Sequence, residues 1–162
     1  MPPKNNMQYT LFKPSSYFIV SGSGDADQPL LAFDKALLDA GIGDVNLIRI
    51  SSIIAPAVKR IAPIQLSRGS FVATAYGHYI SSKRGAQIAA AIAIAHPRES
   101  DQASIIMEYG AEGNAIAAEQ KARKMALDAL EYRGLEIDRV ESTSVECIVS
   151  LTGCVFAGIA II

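Results

Sequence analysis

Short runs of branched and aromatic residues recur along this 162-residue chain and predict mainly β-strands. The predicted strands cover 17–20, 45–54, 70–80, 104–109, 135–151 and 153–162. We expect the strand over 45–54 to be largely buried, because branched aliphatic residues dominate it. The segment 85–95 alternates Ala and Ile; Ala favours helix and Ile favours strand, and we prefer a strand.

Glycines suggest irregular backbone at two places. The sequence Ser21-Gly22-Ser23-Gly24 predicts a loop after the first strand, either a flexible loop or a weak cradle for an anion. Gly77 lies inside a predicted strand and indicates a β-bulge. Residues 1–14 are polar, contain proline and predict an N-terminal arm.

Two segments carry helix signals at both ends. Pro29 and Gly41 bracket a helix over 30–40, and Asn114 can cap a second helix that ends at Gly134. The expected apolar stripe of the first helix consists of Leu30, Phe33, Leu37 and Leu38. Asp34 falls between Leu30 and Leu38 at steps of four, so we expect its carboxylate to project close to the apolar side, where it needs a partner.

About six strands and two helices predict an α+β sandwich in which each helix covers a sheet. The chain is half hydrophobic and 19% charged, so it should fold, and its length fits a single domain over 1–162. A net charge of -1 argues against nucleic acid or a membrane surface as partner. Without an apolar leader or a long apolar run, we expect a cytoplasmic protein. Its apolar excess suggests oligomer interfaces.

Few residues carry obvious chemistry. His78 and His96 are isolated, and Cys147 and Cys154 form no metal-ligand pattern, so we expect no metal site and two buried thiols. Glu108 is unusual because it is an acid within an apolar strand. Of the three Ser-Ser pairs, only Ser51-Ser52 follows a strongly apolar strand.

Four blocks of sequence carry a resemblance to a known family. They are AFDKALLDAGIGDVNLIRISSI, VATAYGHYIS, IIMEYG and LTGCVFAGIA, and together they extend from about Val20 to Ala160. The chain resembles the pyruvoyl-dependent arginine decarboxylases. This resemblance implies an αββα-type sandwich of mainly antiparallel sheets with flanking helices, a design shared with pyruvoyl-dependent histidine decarboxylases.

The resemblance implies that the chain cuts itself between Ser51 and Ser52. Ser52 would be the nucleophile, and Asn46 would polarise the carbonyl of Ser51 or position the hydroxyl. The products would be a β chain, 1–51, and an α chain, 52–162. The pyruvoyl group derived from Ser52 would make a metal or pyridoxal phosphate unnecessary.

The same resemblance assigns the remaining roles for the conversion of L-arginine to agmatine and CO₂ in polyamine biosynthesis. Glu108 corresponds to the family's proton donor, and burial would keep its carboxyl group protonated near neutral pH. The implied substrate-binding residues are Asp34, Leu30, Gly43, Val45 and Ile53. Asp34 would bind the guanidinium group. The implied assembly is a trimer of processed pairs, with active sites between subunits.

Two alternatives stay open at this stage. One keeps the mechanism but changes the amino acid that is decarboxylated. The other is an uncleaved, non-enzymatic oligomer that binds a small cationic metabolite in the same pocket. The presence or absence of two fragments separates the enzyme from the binding protein.

Overall fold

The computed structural model describes residues 12–162, so most of the expected arm lies outside the described part. Nine strands and two helices follow one another along these residues. In chain order they are β1 (Ser16–Ala26), α1 (Pro29–Asp39), β2 (Asn46–Arg49), β3 (Ile53–Ile54), β4 (Lys59–Arg60), β5 (Phe71–Ser81), β6 (Gln87–Pro97), β7 (Ser104–Glu112), α2 (Ala115–Glu131), β8 (Ile137–Ile148) and β9 (Thr152–Ile161).

The strands form two sheets. The five-stranded sheet has the order β2-β5-β9-β1-β4, and the four-stranded sheet has the order β3-β7-β6-β8. Both sheets are mainly antiparallel; only the short strands β2 and β4 pair in parallel with their neighbours. One core lies between the sheets, a second between α1 and the five-stranded sheet, and a third between α2 and the four-stranded sheet. The predicted αββα sandwich is therefore confirmed.

The alternation of Ala and Ile in β6 reflects its position between two cores. Ile88, Ile92 and Ile94 point, with Ala90, into the core between the sheets. The alanines at the odd-numbered positions 89–95 face α2. That helix presents its own alanines in return, so backbone packs closely against backbone. The preference for a strand here is confirmed, because a period of two places the large side chains on one face.

The expected loop at 21–24 is wrong. β1 continues through these residues to Ala26 and pairs with β9 along this length. A Cβ atom on Gly22 would lie 2.4 Å from the carbonyl oxygen of Ala36, and one on Gly24 equally close to that of Ala32. These glycines let α1 approach the strand, and they do not form an anion-binding loop.

The expected strand over 45–54 is also wrong as a unit. It divides into β2, which is largely exposed at the edge of the five-stranded sheet, and β3, which belongs to the other sheet. The Ser51-Ser52 pair lies in the crossing between them. The run of branched residues therefore corresponds to two short strands, each at the edge of a different sheet.

The helices occur where the sequence predicts them. The side chain of Asn114 accepts a hydrogen bond from the backbone N–H of Ala117 and caps α2, as expected. The stripe expected for α1 is partly wrong, because its fully buried residues are Ala32, Ala36 and Leu37. Leu30 and Leu38 are exposed, and Asp34 between them faces solvent.

Candidate active site

Ser52 occupies the point where the chain crosses from one sheet to the other. Its φ of 70° lies in the left-handed region, which costs a non-glycine residue about 1–3 kcal/mol and persists only where the surroundings enforce it. The backbone N–H of Ile106 donates a 2.9 Å hydrogen bond to the Ser52 carbonyl oxygen. Directly after it, Ile53 and Ile54 pair with β7. The serine is thus held from its C-terminal side.

Glu108 is brought to Ser52 by β7. The Ser52 hydroxyl group donates a short hydrogen bond to the Glu108 carboxylate. The carboxylate faces the five-stranded sheet and is partly buried, whereas the sequence suggested full burial. A nucleophilic hydroxyl group at a strained turn suits self-cleavage, and the carboxyl group beside it suits proton transfer to a bound substrate.

Two glycines allow β7 to come close to β5 at this point. A Cβ atom on Gly77 would lie 3.0 Å from the backbone nitrogen of Tyr109 and 3.1 Å from Cβ of Glu108. One on Gly110 would lie 2.6 Å from the carbonyl oxygen of His78. The predicted bulge at Gly77 is wrong, since β5 pairs with β9 without interruption there. Instead, the glycine lets Glu108 sit against the opposite sheet.

Asp34 lies in a different region of the molecule. It lines a groove of about 480 Å³ on α1, together with Asp25, Asp27, Leu31 and Leu38. Gly43 and Val45 line a neighbouring cavity of about 140 Å³, which Leu38 also borders. Leu30 is 77% exposed on the same helix. Four of the residues expected to bind substrate are thus found on or beside α1.

Ser51 and Ile53 line another cavity, of about 250 Å³, whose walls share no residue with either of these two. α1 covers the outer face of the five-stranded sheet, whereas Glu108 faces that sheet from the other side. Within one chain, the expected site residues therefore form two groups separated by a sheet. The side-chain hydrogen bond that joins two of the expected site residues is the one between Ser52 and Glu108.

Asn46 begins β2 and joins it to the segment before β5. Its carboxamide donates a 3.0 Å hydrogen bond to the carbonyl oxygen of Gly69, and its backbone N–H bonds to that of Ser70. The amide thus has a partner within the chain. Its expected role beside the cleavage site stays a prediction.

Arg49, near the end of β2, packs on an aromatic ring. Its guanidinium carbon lies 4.7 Å from the centre of the Tyr76 ring, and it donates a hydrogen bond to the Tyr76 carbonyl oxygen. Burial and the charge of Arg49 lower the pKa of His78. Phe33, next to Asp34, packs against Tyr76 and His78. This aromatic cluster connects β2 with α1. It could not be predicted from the sequence, because its members come from elements far apart along the chain.

Within residues 12–162, no group of three or more His, Cys, Asp and Glu side chains is arranged to hold a metal ion. None of the helices in that range combines the length and apolar character needed to cross a membrane. Cys147 and Cys154 are free thiols, and burial raises the pKa of Cys154 to about 12. The expectation of a buried thiol is confirmed for Cys154, while Cys147 is partly exposed.

Comparisons with known proteins agree with this geometry. The family model for pyruvoyl-dependent arginine decarboxylase matches residues 16–157. Proteins with that name from Methanocaldococcus jannaschii and Methanococcus aeolicus are 45% and 43% identical. The first alignment covers 96% of this chain and 95% of the relative, and the second covers 91% and 90%. The pyruvoyl-dependent arginine decarboxylase 2 of Archaeoglobus fulgidus is 33% identical over 78% of this chain and 82% of its own length.

The four-layer sandwich, with its serine pair beside a glutamate, and these matches define a pyruvoyl-dependent decarboxylase. Within that class, the chain belongs to the family of pyruvoyl-dependent arginine decarboxylases. The family's cofactor is a covalently bound pyruvoyl group.

Proposed function

We propose that this chain cuts itself between Ser51 and Ser52 and then converts L-arginine to agmatine and CO₂, a step of polyamine biosynthesis. The observation that carries the proposal is the contact between the Ser52 hydroxyl group and the Glu108 carboxylate at a left-handed turn. The family membership supports the same activity. A cytoplasmic location stays a prediction from the sequence.

Self-cleavage uses only groups of the chain and water. The Ser52 oxygen adds to the Ser51 carbonyl carbon, the peptide C–N bond breaks, and Ser51 becomes an ester on the Ser52 side chain. Loss of the Ser52 α-proton and of the Ser51 carboxylate leaves dehydroalanine and ends the β chain at Ser51. Water then converts the dehydroalanine into a pyruvoyl group and ammonia. Backbone strain at Ser52 favours the first step, because cleavage relieves it.

The position of Ser52 fits such a group. The carbonyl of residue 52 is already held by the N–H of Ile106, and an acid stands beside its side chain. A pyruvoyl group supplies an electron sink for the electrons released when the substrate carboxylate leaves as CO₂. Glu108, as the carboxylic acid, then delivers a proton to the substrate carbon.

Substrate selection falls to Asp34 and its surroundings. Its carboxylate would bind the planar guanidinium group through two parallel hydrogen bonds, which favours arginine over lysine. Leu30, Gly43 and Val45 would shape the wall beside it, and Ile53 would contact the substrate next to residue 52. Asp25 and Asp27 line the same groove and outweigh the charge of Lys35, which also lines it, so the groove as a whole is acidic and suits a cationic side chain.

We infer that the site is completed between subunits of a trimer. In one chain, the groove of Asp34 and the cavity of Ser51 lie on different layers, so a single chain cannot present both to one small molecule. A neighbouring copy can supply the missing half. Exposed apolar residues on α1 and near β2 support an interface there; they are Leu30, Leu31, Leu38, Ile48, Ile53 and Phe71.

Intact mass spectrometry of the purified protein tests the proposal. We expect two fragments, 1–51 and 52–162, the larger with a ketone that borohydride reduces by two hydrogen atoms. Ser52→Ala should leave one intact chain. The Ser81-Ser82 pair offers a matched control, because Ser82→Ala changes a serine that only bonds Thr152 and should leave cleavage unchanged. A wild-type chain that stays intact after ageing would support the binding protein.

Release of CO₂ from a panel of amino acids tests the substrate. We expect arginine to be turned over at least tenfold faster than lysine, ornithine or histidine, because a bidentate charged pair discriminates by about 1.5–3 kcal/mol. Faster release from another amino acid would keep the mechanism and change the substrate. Mature fragments without any turnover would contradict the enzymatic assignment.

A further inference from the structure

A buried polar cluster lies at the end of the sandwich away from α2's N-terminus and is not part of the candidate active site. Its centre is Glu141, whose carboxylate accepts a 2.9 Å hydrogen bond from the Tyr17 hydroxyl group and lies 3.0 Å from Nε2 of His96. The side chains of His96 and Glu141 are only 8% and 12% exposed. We call the set Tyr17, His96, Ser104 and Glu141, together with Arg60, which borders it with a side chain that is 54% exposed, the buried cluster.

The buried cluster holds the start of the segment that follows the serine pair. Nδ1 of His96 lies 2.8 Å from the Ser104 hydroxyl oxygen. Ser104 begins β7 and pairs with Ile54, two residues after Ser52. Burial and the charge of Arg139 lower the pKa of His96, which favours the neutral ring. A neutral ring can donate to Glu141 through Nε2 and accept from Ser104 through Nδ1.

The same cluster holds the end of this segment. Nη1 of Arg60 lies 2.7 Å from the second carboxylate oxygen of Glu141. Arg60 belongs to β4, which pairs with the beginning of β1, where Tyr17 lies. Arg139 approaches the same carboxylate at 3.4 Å and is also paired with Asp138. Glu141 therefore has partners on four strands: β1, β4, β6 and its own strand β8.

One strained residue lies between these two attachments, and a second lies two residues before the first attachment. Ser52 and Ala57, at φ 70° and 65°, are the non-glycine residues with positive φ in the described part of the chain. A cavity of about 340 Å³ lies along residues 55–58, so no side chain packs over them from that side. A strained residue beside open space, as Ala57 is, keeps its conformation only where the ends of its segment are fixed. The buried cluster supplies both ends.

We propose that the buried cluster is a positioning device for self-cleavage: Tyr17, through Glu141 and His96, fixes the segment 53–60 and thereby holds Ser52 in its reactive conformation. Tyr17 lies on the β-chain side of the cut and Glu141 on the α-chain side, so the cluster also joins the two products. The proposal goes beyond the proposed function and rests on its cleavage step. Tyr17 touches no reacting atom and acts through the segment alone.

The rate at which newly synthesised precursor converts to fragments tests this proposal. Tyr17→Phe keeps the buried ring and removes the hydroxyl group, and we expect conversion to slow roughly tenfold, as for the loss of one hydrogen bond to a charged group. Glu141→Gln should slow it further. Ala57→Gly should restore part of the rate in the Tyr17→Phe background, because glycine adopts positive φ without strain.

A matched control separates positioning from general stability. Ala126→Gly weakens α2, on the far side of the four-stranded sheet, and should lower the melting temperature about as much as Tyr17→Phe does. We expect its conversion rate to match that of the wild type. Equal slowing in both variants, or an unchanged rate in Tyr17→Phe, would overturn the positioning role.

Hydrogen exchange gives a readout that does not depend on cleavage. In uncleaved Ser52→Ala protein, adding Tyr17→Phe should raise amide exchange in 53–60 and leave α2 unchanged. If this occurs but the wild type never converts, the cluster positions the segment and the proposed self-cleavage fails. If exchange in 53–60 does not change, the positioning proposal fails whatever the wild type does.

Discussion

At the scale of single residues, the central contact joins Ser52 and Glu108, which are 56 positions apart in the chain. The sequence marks both of them, Ser52 by the block that precedes it and Glu108 as an acid in an apolar strand. It does not reveal that Ser52 adopts a left-handed conformation, because that depends on the crossing between two sheets. Nor could it show that Asp34 faces solvent, since Leu30 and Leu38 beside it suggest a buried face.

Glu108→Gln should give a protein that still cuts itself but has lost at least a hundredfold in kcat for CO₂ release. The amide keeps the size of the side chain and a hydrogen bond to Ser52, yet it cannot deliver a proton, and a positioned acid contributes about 10²–10⁴ in rate. Fragment analysis and a CO₂ assay on the same sample measure both properties. Glu112→Gln, on the same strand and exposed, should change neither. Normal agmatine formation by Glu108→Gln would remove Glu108 from the mechanism.

Asp34→Asn should raise KM for arginine about 10- to 100-fold and leave cleavage intact, because one charged partner of the guanidinium group is lost. Steady-state kinetics with arginine provide the measurement. Asp27→Asn removes a charge from the same groove and should change KM less than threefold. If the two variants behave alike, the groove acts through its overall charge, and Asp34 makes no specific bond.

At the scale of elements, glycine decides how closely the layers approach. Gly22 and Gly24 allow α1 to pack closely against β1. Gly77 and Gly110 allow β7 to pack closely against β5. A single sequence shows a glycine in a strand but cannot distinguish a bulge from close packing, because both need a missing side chain. The helices and most strands were predictable from their periodicity and caps. The division of 45–54 between two sheets was not, since pairing partners are distant in sequence.

Gly77→Ala should lower stability by about 1–3 kcal/mol and slow turnover, because the new methyl group pushes on the backbone of Tyr109 and on Glu108. Thermal unfolding and CO₂ release would measure the two effects. Gly85→Ala is the contrasting variant, in the turn between β5 and β6. Alanine would be strained at the φ of 80° that Gly85 adopts, but its Cβ atom would meet no neighbouring atom within 4 Å. Its mature form should retain wild-type kcat. A fully active Gly77→Ala enzyme would show that Glu108 tolerates a shift of β7.

At the scale of the whole molecule, a sandwich in which a helix covers each sheet could be predicted from about six strand segments and two helices. The division of the expected site into two groups could not, because it depends on which side of a sheet each group faces. That division, with exposed apolar residues at β2 and α1, favours a site shared between copies of the chain.

Ile48→Lys should dissociate the expected trimer and lower activity, because a charge replaces a half-exposed apolar residue on the edge strand β2. Sedimentation velocity would show a shift from three processed pairs to one. Tyr132→Lys changes a more exposed residue at the end of α2 and should leave the assembly intact. A wild-type protein that sediments as one processed pair with full activity would contradict the shared site.

The position of β1 within its sheet determines how firmly the two fragments stay associated after cleavage. β1 belongs to the proposed β chain, yet it lies between β9 and β4, which both belong to the α chain. β4 covers only Ser16 and Tyr17 of β1, so the main barrier to leaving is the pairing of β1 with β9 along its length, which must break before the β chain can dissociate. Two differently tagged populations, mixed after maturation, should keep their original β chains for as long as the fold persists. Each processed pair would thus keep both halves of a single translation product, even though an active centre draws its residues from two such pairs.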